Sequence, residues 1–276
     1  MKYDPIKRKL GNVFNRSPWL RKLFYNLLDL LLLRSWHIRK ELKAWEKTTN
    51  GDQNILDAGS GFGQYDYYIS KKHPEWKVTG VDVKQEQIDD CNNFFSRIGF
   101  KNAKFEFCDL TKLNAKEEYN MILCVDVMEH IEEDELVLSN YYNALKPDGM
   151  LLISTPSDKG GSDVHHHDHD DHENDGEHSF IDEHVRDGYG IDDITTKFRN
   201  AGFTKSKAYY QYGKPGKIAW RVSMKYPIIM LNTSYLFFLI LPLYYIITFP
   251  IALLLNWFDV KLKHKTGTGL VAIAWK

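Results

Sequence analysis

Cysteine is scarce in this chain of 276 residues: Cys91, Cys108 and Cys124 are all it has, and no two stand at a metal-ligand spacing. That excludes a disulfide framework and a cysteine-built zinc site, and it fits ordinary buried thiols in a reducing compartment. A basic excess is missing too. Lys and Arg number 36 against 37 Asp and Glu, so charge supplies no reason to expect a nucleic-acid partner, and none is expected. The first residues, Met1-Lys-Tyr-Asp-Pro5, lack the charged-then-apolar layout of a cleaved signal, and no such signal is expected.

Charge itself is absent over one long stretch. The 33 residues 226–258 carry no formal charge and include the runs Leu236–Leu241 and Ile246–Leu255. This exceeds one membrane span but falls short of two spans plus a turn, which need roughly 40 residues. Lys214, Lys217, Arg221 and Lys225 precede it, and Lys261, Lys263 and Lys265 follow. Basic residues at both flanks put both ends on the cytoplasmic side. The last residues, Gly269–Trp275, read as a strand; if it pairs with Thr204–Tyr212, the uncharged segment leaves and rejoins the same domain edge. A single crossing is then impossible. The expectation is a shallow helical hairpin, broken near Pro242 or Pro250, that dips into one leaflet and holds the protein at the cytoplasmic face of a membrane. The alternative is a helical pair buried in the dimer interface of a soluble protein. Oligomeric state is not legible.

What is present is most informative at Asn54-Ile-Leu-Asp57-Ala-Gly59-Ser-Gly61-Phe-Gly63. An apolar strand end meets a carboxylate, then three alternate glycines, then a helix-like run. Such glycines let a backbone approach a ligand through a tight turn, with the next helix's amides free to donate. A dinucleotide site would want G-x-G-x-x-G; the spacing here is Asp-x-Gly-x-Gly-x-Gly. A carboxylate before the glycines repels a pyrophosphate but receives a cationic amino-acid end. That contrast favours S-adenosylmethionine over a dinucleotide-dependent oxidoreductase.

Four segments are expected. Residues 1–50 form an amphipathic helical preface, started by Ser17 as capping hydroxyl and Pro18 at the first helical position. Its apolar face, from Trp19 to Trp36, suits packing on the main domain, a membrane surface or cover over a substrate pocket. Residues 51–213 are the core, 214–265 the hydrophobic helical insertion, and 266–276 the last core strand. Core strands are expected at Asn54–Asp57, Lys77–Asp82, Ala103–Cys108, Met121–Val125 and Met150–Thr155, with helices around 64–72, 84–97, 133–145 and 189–201. Nearly wholly apolar strands alternating with helices predict an α/β, doubly wound, Rossmann-like parallel sheet, with its ligand at the strands' carboxyl ends. The His- and Asp-rich stretch 163–178 is too polar to pack and reads as a loop; whether it binds a metal is left open.

These residues resemble the class I S-adenosylmethionine-dependent methyltransferases. Leu56 to Gly63 is similar to the family's first motif. Gly80-Val81-Asp82 matches its ribose-holding acidic position, and Phe107-Cys108-Asp109-Leu110 its adenine-contacting one. Tyr119 to Ile131 is similar to the segment after the fourth strand, and Leu145 to Ile153 to the helix-turn-strand that follows. Five motifs in order cover about 52–213 and 266–276. The resemblance implies a seven-stranded sheet, S-adenosylmethionine as cofactor, and cofactor contacts at Asp57, Gly59, Gly61, Gly63, Asp82, Val83, Asp109, Leu110 and Val125. Asp57 would anchor the ammonium group, directly or through water, Asp82 the vicinal diol and Asp109 an exocyclic amine. Each carboxylate also suits a cap or turn.

His130 is the candidate general base for an oxygen or nitrogen nucleophile. Asp126, Glu129 and His130 resemble the metal-binding positions of ubiquinone-pathway O-methyltransferases, although Glu-His in this place also serves a helix start in metal-independent relatives. A divalent metal is therefore the weaker alternative. Glu183 to Tyr189 resembles a segment that shapes the acceptor pocket, which makes His184, Arg186 and Tyr189 acceptor-site candidates. The function expected is methyl transfer to a small lipophilic acceptor at a membrane, with a non-catalytic scaffold of the same fold as the competing reading.

Overall fold

Short apolar runs ending in Gly or Asp punctuate the core, and each becomes a strand. The computed structural model describes residues 17–160, 185–234 and 236–276. Its strands are β1 (Asn54–Ala58), β2 (Lys77–Asp82), β3 (Ala103–Phe107), β4 (Tyr119–Val125), β5 (Leu145–Pro156), β6 (Lys205–Gln211) and β7 (Gly269–Trp275). They form one sheet in the order β3-β2-β1-β4-β5-β7-β6. All pairings are parallel except those of β7, which runs antiparallel between β5 and β6. This is the expected doubly wound sheet, and the last strand pairs with the expected segment. Helices Gln64–Lys72, Gln85–Arg97, Asp134–Ala144 and Ile191–Asn200 fall where the periodicity put them. β5 begins at Leu145 rather than Met150.

Strand side chains alternate between faces, so each strand feeds two cores. Leu56, Ile122, Leu151 and Ala272 bury on one side with Val137, Tyr141 and Phe198. Ile55, Leu123, Leu152 and Val271 bury on the other with Tyr65 and Ile69. Each fully buried Leu or Ile stabilises the fold by roughly 1.5–3 kcal/mol. Strand order reverses between β1 and β4, so a crevice opens beyond their carboxyl ends.

The preface is two helices, not one. Pro18–Leu31 stops where Leu32 takes an extended conformation (φ −87°, ψ 111°), and Leu33–Glu46 begins at once. Ser17 occupies the cap position but its hydroxyl makes no cap bond, so Pro18 and its preset φ carry the helix start. The second helix belongs to the core: Ile38, Leu42 and Trp45 complete the second cluster. The first helix lies on the glycine turn, with Arg21 Nη2 and the Tyr25 hydroxyl both donating to Phe62 O.

The uncharged segment is a helical hairpin inserted between β6 and β7. One arm comprises Lys214–Trp220, a π-helical turn Arg221–Lys225 and Tyr226–Thr233; the other is the single helix Phe237–Lys261. The first arm ends at Thr233, before the extended Ser234, and not at a proline. Ser234 is extended (φ −162°, ψ 137°), whereas Pro242 and Pro250 both lie inside the second helix, where each removes only one donor. Pro227 also removes a donor, and its would-be acceptor Ser223 O receives the Tyr245 hydroxyl at 2.9 Å. The neighbouring Val222 O receives the Tyr244 hydroxyl at 2.6 Å. At the hairpin base, buried Asp259 accepts from Gly216 N (3.0 Å) and Tyr212 N (3.2 Å), and it faces His37 Nε2 at 3.0 Å and His264 Nε2 at 3.2 Å. One carboxylate thus ties the preface, the end of β6 and both hairpin arms together.

Candidate functional site

The glycine turn leaves β1 with left-handed backbone at Gly59 (φ +87°) and Gly61 (φ +51°). At Gly59 no side chain fits: a Cβ would lie 2.2 Å from Val127 Cγ2. At Gly61 nothing lies within 4 Å of an added Cβ, so this edge of the turn is bare backbone beside a cavity. Asp82, at the end of β2, pins the turn by accepting from Gly61 N at 3.1 Å and from Lys84 N at 2.9 Å. Its neighbour Val83 is exposed.

That cavity has a volume of about 670 Å³, within the size range of small-molecule and cofactor sites. Gly59, Gly61, Asp82, Val83, Asp109, Leu110, Val125 and His130 all line it. Asp109 also caps a short 3-10 turn: its carboxylate accepts from Thr111 N (3.0 Å) and Thr111 Oγ1 (2.6 Å) and meets Lys112 Nζ at 3.1 Å. Those bonds, Thr111 first, hold its carboxyl below the usual range. Capping and cavity lining therefore coincide in one side chain.

Asp57 and Gly63 do not line the cavity. Asp57 is buried beneath the turn and hydrogen-bonds to Asp66, on the helix that follows. Two carboxylates bond only when one carries a proton. Burial is the main cause pushing both up, Asp57 to about 6 and Asp66 well above its ordinary value. Asp57 Oδ2 and both carboxylate oxygens of Asp66 meet no N–H or hydroxyl donor, so a proton carried by the pair itself is what joins them.

A second cavity, of about 450 Å³, adjoins the first. Arg34 and Asp126 line both, and their ion pair forms the shared wall. Asp126 sits at φ +52°, directly after β4. Leu31, Leu32 and Leu33 of the preface close one side of the second cavity. Trp220, Met224 and Asn256 of the hairpin close another, and Gln211 and Tyr212 at the end of β6 form its floor. None of these was singled out from sequence as a site residue except Asp126. Arg34 carried the only signal, a cation inside an apolar helical run.

Asp126, Glu129 and His130 do not converge on a cation. Asp126 is held by Arg34, and buried Glu129 accepts from Thr155 Oγ1 at 3.1 Å. Among the described residues no group of three or more His, Cys, Asp or Glu side chains is arranged to hold a metal. Arg186 and Tyr189 line neither cavity. Arg186 pairs with Asp134 at 2.6 Å and donates to Ile131 O, while the buried Tyr189 hydroxyl donates to Asp134 Oδ2 at 2.8 Å. Both brace the 128–134 segment that presents His130, because burial of Asp134 demands partners for its charge. His184 and the stretch 163–178 lie outside the described residues. Cys91 and Cys124 are buried free thiols pushed up by burial, Cys124 to about 12, whereas Cys108 lines the first cavity.

A family model described as a methyltransferase domain matches residues 49–202. Among curated proteins, an (S)-coclaurine N-methyltransferase of Papaver somniferum is 26% identical over 54% of this chain and 39% of its own. A ubiquinone biosynthesis O-methyltransferase of Rickettsia felis is 28% identical over 37% of this chain and 40% of its own. The chain thus spans about two fifths of the length of these relatives. Among solved structures, the [4+2]-cyclase SpnF aligns with a TM-score of 0.56 at 15% identity, over 88% of this chain and 81% of that one. At that identity the likeness is one of fold, and a neighbour described as a cyclase underlines that fold alone does not name a reaction.

Proposed function

The chain belongs to the methyltransferase-domain family, and from that premise we propose that it transfers a methyl group from S-adenosylmethionine to a small lipophilic acceptor drawn from a membrane surface. The observation that carries the reading is the pair of adjoining cavities with one shared wall, the Arg34–Asp126 ion pair. Bound S-adenosylmethionine would supply an electrophilic methyl group on a sulfonium, whose transfer needs in-line positioning more than covalent help.

The residues of the first cavity fit that cofactor. Bare backbone at Gly61 allows close approach, and the donorless Asp57 Oδ2 beneath the turn suits a cationic amino-acid end, reached directly or through water. Asp82 keeps acceptor capacity for a vicinal diol beyond its two backbone bonds, and Asp109 for an exocyclic amine. His130 on the cavity wall is the candidate proton acceptor for the nucleophile, braced from behind by Arg186 and Tyr189. The acceptor enters the second cavity, whose preface and hairpin walls are largely apolar.

The hairpin suits a bilayer surface. Leu239, Leu243, Ile246 and Ile247 are each 65% exposed or more, and the helix from Leu239 to Lys261 is apolar enough and long enough to cross a membrane. Because both arms rejoin the sheet at the β6/β7 edge, entry and return from one side is the arrangement we propose, on the cytoplasmic face. Incubating the protein with methyl-labelled cofactor and a membrane lipid extract tests the reaction. Label in the organic phase is expected, and label nowhere but in intact cofactor refutes it. Flotation with liposomes tests the location: protein that stays at the bottom as a discrete dimer favours a hairpin-mediated protein interface instead.

A further inference from the structure

We propose that Gln211 and Arg34 read the polar end of the acceptor in the second cavity, and that this end is a neutral hydroxyl, which donates to Gln211 Oε1 and accepts from Arg34 Nε. This deepens the methyltransferase reading and rests on it only in calling the guest the methyl acceptor.

Gln211 ends β6 and forms part of the cavity floor, yet it is only 1% exposed. Gly269 holds its stem in place: a Cβ there would lie 2.8 Å from Gln211 Cγ, so the backbone of β7 packs directly against the side chain. The amide nitrogen faces the sheet. It donates to Ser154 Oγ of β5 at 2.9 Å and lies 3.5 Å from Leu270 O of β7. A carbonyl only accepts, so turning the amide over would set oxygen against oxygen. Oε1 is left buried with no hydrogen-bond partner.

Arg34 reaches the same cavity from the second preface helix. Asp126 meets its charge through Nη1, and its buried Nε has no hydrogen-bond partner. What Arg34 still offers is one hydrogen bond, not a charge. Asn256 adds a buried amide to the lining, the only one among the side chains of the apolar helix Phe237–Lys261. An unmet buried donor or acceptor is costly, and in a cavity a guest can meet it. One atom here needs a donor and the other an acceptor. A hydroxyl supplies both, an ether or a quinone carbonyl only accepts, and a hydrocarbon does neither. Leu31 and Trp220 line the cavity as apolar surface for the rest of the molecule.

Calorimetry on the full chain at neutral pH tests this with para-butylphenol, para-butylanisole and butylbenzene as probes. Ring and tail are shared, and only the polar end changes. Para-butylphenol is expected to bind about tenfold or more tightly than butylbenzene, with para-butylanisole between them. Apolar burial alone ranks butylbenzene above the phenol, because the hydroxyl is the better hydrated end. Gln211→Met, and Arg34→Lys, which keeps a cation for Asp126 but moves its donors to the tip of the chain, should each weaken para-butylphenol about tenfold and leave butylbenzene unchanged. Para-butylphenol that binds the parent protein no more tightly than butylbenzene, or not at all, overturns the inference whether or not the variants fold. Folded variants that weaken all three probes alike overturn the assignment to these two residues. Titrating S-adenosylmethionine in the same cell separates the two readings. Failure there counts against the methyltransferase reading, while cofactor binding without a hydroxyl preference counts against this inference alone.

Discussion

Replacing Asp66 with asparagine addresses the proton shared beneath the glycine turn. In the folded protein burial pushes Asp57 up to about 6, from an ordinary 3.8, and Asp66 higher still. A folded-state value above the unfolded one means stability that is fully present below about pH 4 and lost as pH rises through about 6. Two units at about 1.36 kcal/mol each amount to on the order of 3 kcal/mol, with on the order of 1 kcal/mol lost between pH 5 and 8. Stability in urea, measured at unit intervals over that range, should therefore decline towards alkaline pH for the cofactor-free protein. In Asp66→Asn the amide donates to an ionised Asp57, no shared proton is needed, and the decline should flatten. Other groups titrate in both proteins, so the difference between the two slopes isolates the pair. Equal slopes, or a steeper decline in the variant, would refute a shared proton.

Four further outcomes follow from the geometry. Gly59→Ala should abolish cofactor binding and lower the melting temperature, since its Cβ meets Val127 at 2.2 Å, whereas Gly61→Ala, with open space around it, should show only left-handed strain of about 1–2 kcal/mol. Asp82→Asn should weaken S-adenosylmethionine about tenfold or more by calorimetry, because it loses a charged acceptor and loosens the bonds to Gly61 N and Lys84 N. Asp259→Ala should destabilise the fold by about 3–5 kcal/mol in urea melts, and hydrogen exchange should speed first at 212–216, where two amides lose their acceptor. Tyr244→Phe with Tyr245→Phe leaves the Val222 and Ser223 carbonyls without those donors, so the melting temperature in liposomes should fall relative to the parent.

The sheet was readable because its strands are punctuated. Gly80-Val81-Asp82 and Asp57 to Gly63 mark strand ends by residue type, and the apolar period between them leaves little choice of element. Single-residue turns were harder. Leu32 splits the preface with no proline or glycine to announce it, since its extended backbone follows from docking the second helix on the sheet. In the hairpin the prolines misdirected the expected break. The better signal was the polar trio Asn232-Thr233-Ser234, whose side chains compete for backbone bonds and end the first arm. The first cavity was legible because its residues cluster in four short motifs. The second cavity was not, because Arg34, Asp126, Gln211, Trp220 and Asn256 come from five distant elements and meet only in the fold. Asp66 was missed because pairing with Asp57 requires the turn between them to close back on itself.

Backbone satisfaction gives the hairpin reading weight beyond hydropathy. A helix that merely buries apolar residues in a soluble core has water or neighbouring side chains at hand when a proline frees a carbonyl. In a bilayer each such carbonyl must be met from within, at a penalty of several kcal/mol if it is not. Here Pro227 and the π-helical turn disturb one arm, and two successive tyrosines of the other arm donate to Val222 O and Ser223 O. The arms otherwise turn leucine and isoleucine outward, and the one carboxylate in their own sequence, Asp259, is withdrawn to the base, where it accepts from two backbone amides. Polar groups are thus spent inside the hairpin or at its root, and the second cavity opens between that root and the preface. A lipophilic acceptor held in a bilayer would reach Arg34 and Asp126 by moving along apolar surface, without first crossing water.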